Sequence, residues 1–263
     1  MLHSHVQDLC ERAAKGNVCC TAFLTPGQQR DVIELLRMNG NLSRARLYGG
    51  FSGAERACIL LFPDYAIELC DMTQQGVAQV RALLALCGEE DPVTALYLKG
   101  SGFCNLTHRD YLGSLLALGL EREVLGDLEL PDTYSAYLFC RTTMAPFIEE
   151  SLERVGGDKI TVQRVQPDES FVSLRRTQPL SDTVASARLD CVVASLANLS
   201  RESAQQLIRE GRVELDYRIE ERVDRTVATP ATVSVRGVGK FRVISIGTQT
   251  KKGRFRLLAE KYI

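Results

Sequence analysis

The sequence predicts an α+β protein of three parts, and three observations carry that prediction. Between residues 93 and 165 the hydrophobic pattern runs strand, helix, strand, strand, helix, strand. Between 187 and 246 two short amphipathic helices precede a set of β-branched strands. Charge also divides the chain, with 17 basic and 23 acidic residues over 1–180, a net of −6, against 15 and 10 over 181–263, a net of +5. The whole-chain value of −1 conceals that division. The expected domains are therefore 1–90, an N-terminal α/β domain, then 91–175, a ferredoxin-like βαββαβ unit, then 181–263, a basic module.

The first part opens with a polar helix ending at Lys15-Gly16. Thr25-Pro26-Gly27-Gln28 then starts a second helix, with Thr25 as N-cap, Pro26 in the first turn and Gln28 closing a capping box. Val32, Ile33, Leu35 and Leu36 form its apolar stripe, and Asn39-Gly40 stops it. A glycine-rich turn over 47–56 precedes an apolar strand over 57–62. It lacks the GxxxxGK[ST] or GxGxxG spacing of a phosphate loop, so a tight turn with a packed Tyr48 or Phe51 is the better reading. Leu83, Leu84 and Leu86 mark a further helix, closed by Gly88 before the acidic linker 89–92.

In the second part Val93 to Leu98 alternates as a strand, and Thr107 opens a helix that ends at Gly119. Strands follow over 123–130 and 134–140, then a helix over 144–155 with Phe147, Ile148 and Leu152 inward, then a strand over 159–165. RNA-recognition motifs share this order and stack bases on aromatics of their central strands. Tyr97, Tyr137 and Phe139 are the candidates here, although core or cross-strand packing is the better reading for them. His108-Arg109-Asp110 matches the start of a kinase catalytic loop, but the remaining kinase motifs are missing. A phosphate contact from His108-Arg109 at the helix start is a second possibility.

In the third part Leu189, Val192, Val193 and Leu196 form the inner stripe of one helix. Ser200 caps the next, Ala204, Leu207 and Ile208 face inward, and Gly211 takes the left-handed stop. Arg188, Arg201, Gln205, Arg209 and Arg212 are left outside, where guanidinium forks suit phosphate. Asp190 has two readings, a first-turn carboxylate that orients Arg188 or a direct RNA contact. A strand over 213–219 leads to Thr232-Val233-Ser234-Val235-Arg236-Gly237 and on through Lys240 to 246.

Composition bounds the function. At 45% hydrophobic residues, with ordinary glycine and proline, the 263-residue chain can bury real cores. No apolar run approaches the ~20 residues of a membrane span, and the start lacks a secretory signal. Nine cysteines without a CxxC pair read as thiols in a reducing cytosol, so a cytoplasmic protein without metal or cofactor is expected.

The residues R-L-D at 188–190, S-R-x-x-A-x-x-L-I-x-x-G-x-V from Ser200 to Val213 and V-x-V-R-G at 233–237 resemble the S4 RNA-binding domain. That resemblance implies RNA contact at Arg188, Asp190, Ser200, Arg201, Gln205, Arg209 and Arg212, and less directly at Arg236 and Lys240. Asp216-Tyr217 departs from the Asn-Gly of many S4 domains. Further blocks at 23–29, 48–56 and 108–127 make the whole chain resemble the YlmH-type S4 proteins of Gram-positive bacteria. This implies a monomeric, non-catalytic RNA-binding protein with an RRM-like middle domain. Its partners would be 23S rRNA and tRNA on the large ribosomal subunit, in quality control of stalled nascent chains. The alternative is an RNA-modifying enzyme, pseudouridine synthase-like or other, anchored by S4 and using His108, Asp110 or Asp127. R-L-D lies inside the S4 helix, however, and no second R-L-D exists.

Overall fold

The computed structural model describes residues 2–70, 75–168, 170–250 and 253–263. These form two compact units, 1–174 and 175–263, so the boundary expected near 90 lies inside the first unit.

The first unit begins with α1 (Leu2–Ala14), β1 (Cys19–Cys20), α2 (Pro26–Met38), β2 (Ala45–Tyr48), β3 (Cys58–Leu61), α3 (Asp64–Leu69) and α4 (Gly76–Cys87). The Thr25–Gln28 capping box is present, and Gly88 closes α4 in the left-handed region at φ 69°. Strand β2 was not evident in the sequence; it adds to one edge of β3 while β1 adds to the other. All four residues of β3 are buried because both its faces are covered. Ile59 and Leu61 pack with α1 and α2 through Val6, Leu9, Val32 and Leu36, while Cys58 and Leu60 pack with Val80, Leu83 and Leu84 of α4. That is the period-two consequence of a central strand between two layers.

The unit continues with β4 (Val93–Lys99), α5 (His108–Ala117), β5 (Leu125–Glu129), β6 (Ser135–Arg141), α6 (Ala145–Ser151), β7 (Arg154–Val155), β8 (Asp158–Lys159) and β9 (Thr161–Val165). The sheet order is β5-β6-β4-β9, with every pair antiparallel. One face carries Leu96, Leu98 and Leu138 onto Tyr111 and Leu115 of α5 and Ile148 of α6. Helix α6 is shorter than the expected 144–155. It ends at Ser151, and the flanks of Gly156-Gly157 pair instead as the β7–β8 hairpin, Arg154 opposite Lys159. Two adjacent glycines favour a turn over helix continuation.

The second unit holds β10 (Thr177–Val184), α7 (Leu189–Ala197), α8 (Arg201–Arg209), β11 (Val213–Leu215), β12 (Arg218–Ile219), β13 (Ala231–Val235), β14 (Gly239–Gln249) and β15 (Phe255–Tyr262). Its sheet runs β10-β15-β14-β13-β11-β12. The inner face presents Val233, Val235, Phe241, Val243, Leu257 and Ala259 to Leu189, Val192, Val193, Leu196, Ala204 and Ile208 of the helix pair. At ~25 cal/mol per Å2, burying this many large apolar side chains is the main force holding the helices on the sheet. The expected single strand 213–219 is instead a hairpin, because Asp216 and Tyr217 both take positive φ, 49° and 65°. Two left-handed central residues make the two-residue turn that matches strand twist.

Candidate nucleic-acid interface

The helix pair of the second unit sets the geometry. The apolar stripes of α7 and α8 face the sheet, which leaves their polar residues on the other side. The start of α7 is tied by Leu189 N–H to the Arg225 carbonyl at 2.8 Å and by Asp190 N–H to the Val223 carbonyl at 3.1 Å. Ser200 caps α8 by accepting from Ser203 N–H at 3.1 Å.

Asp190 joins the two helices. Its side chain is completely buried, and it accepts from Arg188 Nε at 3.1 Å and Nη2 at 3.2 Å, from Arg201 Nε at 2.9 Å and from Gln205 Nε2 at 2.7 Å. Cys191 N–H adds a further donor at 3.0 Å. Burial alone would raise its pKa, but the hydrogen bonds from Arg188, Gln205 and Arg201 outweigh burial and hold the carboxyl well below the usual carboxylate range. The carboxylate is therefore ionised and fully enclosed. Of the two readings of Asp190, the buried geometry matches the carboxylate that orients its neighbours Arg188, Arg201 and Gln205. Arg188 and Arg201 keep 39% and 54% of their side chains exposed, so each guanidinium has one edge on Asp190 and the rest in solvent.

The remaining expected contacts lie toward the other end of α8. Arg209 is exposed in the last turn, and Gly211 follows at φ 65°. Arg212 and Arg236 are brought together: Arg236 N–H donates to the Arg212 carbonyl at 2.9 Å, and Arg212 Nη2 donates back to the Arg236 carbonyl at 3.3 Å. Both line a cleft of about 630 Å3 with Glu214, Ile219 and Gly237. Lys240, on β14 opposite Ser234, has its Nζ 4.7 Å from the Tyr217 ring centroid and 5.3 Å from that of Tyr262.

Two exposed cations that the sequence did not single out lie on interior strands of this sheet, Arg242 on β14 and Arg256 on β15. The available signal was alternation, since Phe241 and Val243 point in around Arg242, and Leu257 and Ala259 point in next to Arg256 and Leu258.

In the first unit the sheet face expected to stack bases is covered over Phe139, which is buried, while Tyr97 and Tyr137 lie side by side with centroids 5.0 Å apart and stay half-buried. Phe51 lies on Phe139 with centroids 4.4 Å apart, and Phe171 meets Tyr137 at 5.1 Å and Phe139 at 5.7 Å. The glycine-rich turn makes this cover possible. Gly50 has φ 90°, and a Cβ there would fall 2.7 Å from Phe139 Cδ1 and 2.9 Å from Val93 Cγ1. Buried Asp127 fastens the same turn, accepting from the backbone N–H of Glu55 and of Arg56 at 2.5 and 3.2 Å. Asp110 accepts from Thr107 N–H at 2.8 Å and Oγ1 at 2.6 Å in a capping box at the start of α5. His108 is the first residue of that helix, so His108 and Asp110 share the first turn of α5 while Asp127 is committed to the glycine-rich turn. Among the described residues no cluster of His, Cys, Asp or Glu has the makings of a metal site, and no helix is long and apolar enough to cross a membrane.

Residues 97–169 match a family model described as "Putative RNA-binding domain in YlmH". The chain is 26% identical over 242 residues to the ribosome-associated protein quality control protein P2 of Bacillus subtilis (strain 168), covering 92% of this chain and 86% of that protein. A solved structure, the cell division protein ylmH from Streptococcus pneumoniae, superposes with a TM-score of 0.47 at 17% identity, over 62% of this chain and 86% of that one.

Proposed function

We propose, from a chain that carries the YlmH RNA-binding domain and resembles a ribosome-associated quality control protein over most of its length, that this protein is a non-catalytic, cytoplasmic RNA-binding factor of the large ribosomal subunit. In this proposal the middle part is an RRM-like domain and the C-terminal unit an S4 domain that holds structured 23S rRNA and tRNA. One observation carries it: buried Asp190 fixes Arg188, Arg201 and Gln205 at the junction of α7 and α8 while leaving both guanidinium groups partly in solvent.

A guanidinium held on one edge loses little further side-chain entropy when a phosphate takes the other edge. Arg209, Arg212 and Arg236 would extend the contact beyond that junction. Ser200 supports it from the N-cap of α8, and Lys240 is a further phosphate contact from β14. Such contacts read backbone shape rather than base identity. Each phosphate neutralised adds ~0.7–0.9 to the slope of log K against log salt, with the exact value depending on the RNA.

Cosedimentation with purified large subunits tests the proposal. The protein should travel with the particles at low salt and dissociate as salt rises. Free migration at low salt sinks it.

A further inference from the structure

The RNA-binding match over 97–169 meets a sheet whose aromatic face is covered in part, with Phe51 and Phe171 on buried Phe139 and Phe171 on half-buried Tyr137, while Tyr97 stays half-exposed. The loops at the end of the same sheet offer a further surface. One end of the sheet presents two aromatic rings outward. Phe103, in the β4–α5 loop, is 93% exposed, and Tyr134, in the β5–β6 loop, is 41% exposed.

The two loops are fastened to each other. Gly100 N–H donates to the Tyr134 carbonyl at 2.8 Å, and Leu106 N–H donates to the Thr133 carbonyl at 2.7 Å. Below Phe103 the backbone is held by buried Asp158, which accepts from Ser101 N–H at 2.9 Å and from Ser101 Oγ at 2.5 Å; Phe103 N–H in turn donates to Ser101 Oγ at 3.3 Å. A Cβ at Gly100 would sit 2.6 Å from Asp158 Oδ2, so glycine is required for this approach. The Tyr134 loop is held likewise, with Asp132 Oδ1 accepting from Tyr134 N–H at 2.8 Å and Ser135 Oγ at 3.0 Å.

The carboxylates Asp158 and Asp132 thus serve as internal acceptors, whereas the cations next in the chain are exposed: Lys99 before the first loop, Arg109 in the first turn of α5 and Lys159 beside Asp158. Unsupported, an exposed phenylalanine on a mobile loop would be an isolated apolar residue of no consequence. Here the loop beneath it is braced, a second ring stands on the adjoining loop, and cations flank both. Stacking surface plus backbone-neutralising charge is the chemistry that takes unpaired nucleotides.

We propose that Phe103 and Tyr134 form a stacking site for unpaired RNA bases, with Lys99, Arg109 and Lys159 on the adjoining phosphates. The site rests on the RNA-binding function proposed above and assigns the middle part a contact surface separate from the arginine set of the second unit.

The test uses the full chain and a hairpin RNA with 2-aminopurine in its loop, whose fluorescence is quenched on stacking. Wild type should bind and quench. Phe103→Ala should lose the quenching and weaken binding roughly tenfold, Tyr134→Ala should do so to a smaller degree, and Phe103→Tyr should restore both. Unchanged circular dichroism checks that the exposed positions leave the fold intact. Arg209→Glu in the second unit, at an exposed position, is the separate control. If Phe103→Ala binds and quenches like wild type while Arg209→Glu loses the RNA, the stacking site is overturned and the general function stands. If wild type itself does not bind RNA, both fall.

Discussion

Arg188 and Arg201, from the starts of two successive helices, share one buried carboxylate: their Nε atoms lie 3.1 and 2.9 Å from the two oxygens of Asp190. One acid therefore sets the position of two exposed cations, and a third donor, Gln205 Nε2 at 2.7 Å, completes the arrangement. The relationship makes stability and RNA affinity depend on the same side chain, and it separates Asp190 from residues that act only at the surface.

Asp190→Asn should lower the stability of the second unit by about 2 kcal/mol, below the full cost of a completely buried pair because both arginines are partly solvated. RNA affinity should fall with it. Urea unfolding and a filter-binding titration on the same preparation measure the two effects; a variant that loses stability but binds RNA like wild type would contradict the positioning role.

The pH dependence follows from the direction of the Asp190 shift. Its folded pKa is depressed from an ordinary value near 3.8, so its stabilisation is fully present above that value and is lost as pH falls toward the folded one. The unfolding midpoint of wild type should drop steeply in acid below about pH 4. The gap between wild type and Asp190→Asn should narrow over the same range. A gap that is constant from pH 7 to pH 3 would count against the coupling.

Arg209→Glu and Arg236→Glu alter exposed side chains, so thermal stability should stay within about 0.5 kcal/mol of wild type. RNA affinity at low salt should fall about tenfold or more for each, and the slope of log K against log salt should shrink by roughly one per lost contact. Titrations at several salt concentrations provide the readout. An unchanged slope would remove that residue from the interface.

Two glycines of one turn should respond differently. Gly50→Ala places a Cβ 2.7 Å from Phe139 at φ 90° and should destabilise the first unit by about 3 kcal/mol. Gly53→Ala, at φ 82° with open space around it, carries only the left-handed penalty of about 1 kcal/mol. Thermal melts of the two variants compare them directly, and equal losses would show that the contact with Phe139 is unimportant.

Much of the fold was legible because its signals are local. The capping box of Thr25 and Gln28, the stops at Gly88 and Gly211, and the apolar stripes of α7 and α8 each arise within a few residues of chain. The succession of strands and helices over 93–165 was legible for the same reason, apart from the β7–β8 hairpin that follows α6. The basic and polar residues around the helix pair were likewise identified from their place opposite an apolar stripe.

What escaped the sequence depends on partners distant in the chain. Strands β10 and β15 pair residue for residue from Thr177 with Tyr262 to Val184 with Phe255, a match that no periodicity within either segment reveals. For Phe139 and Tyr137 packing was the better reading from the sequence, but the partners, Phe51 on Phe139 and Phe171 on both, lie far away in the chain or beyond the motif. Asp190 looked equally suited to orienting a neighbour or touching RNA until α8 brought Arg201 and Gln205 onto it. Local pattern marked most of the helices and every charged residue, because backbone propensity and side-chain periodicity act over a turn or a pleat, but it left α3 unmarked and ran α6 on to 155. Tertiary structure alone decided which aromatic faces are closed and which acid is buried, because burial is a property of the space between elements.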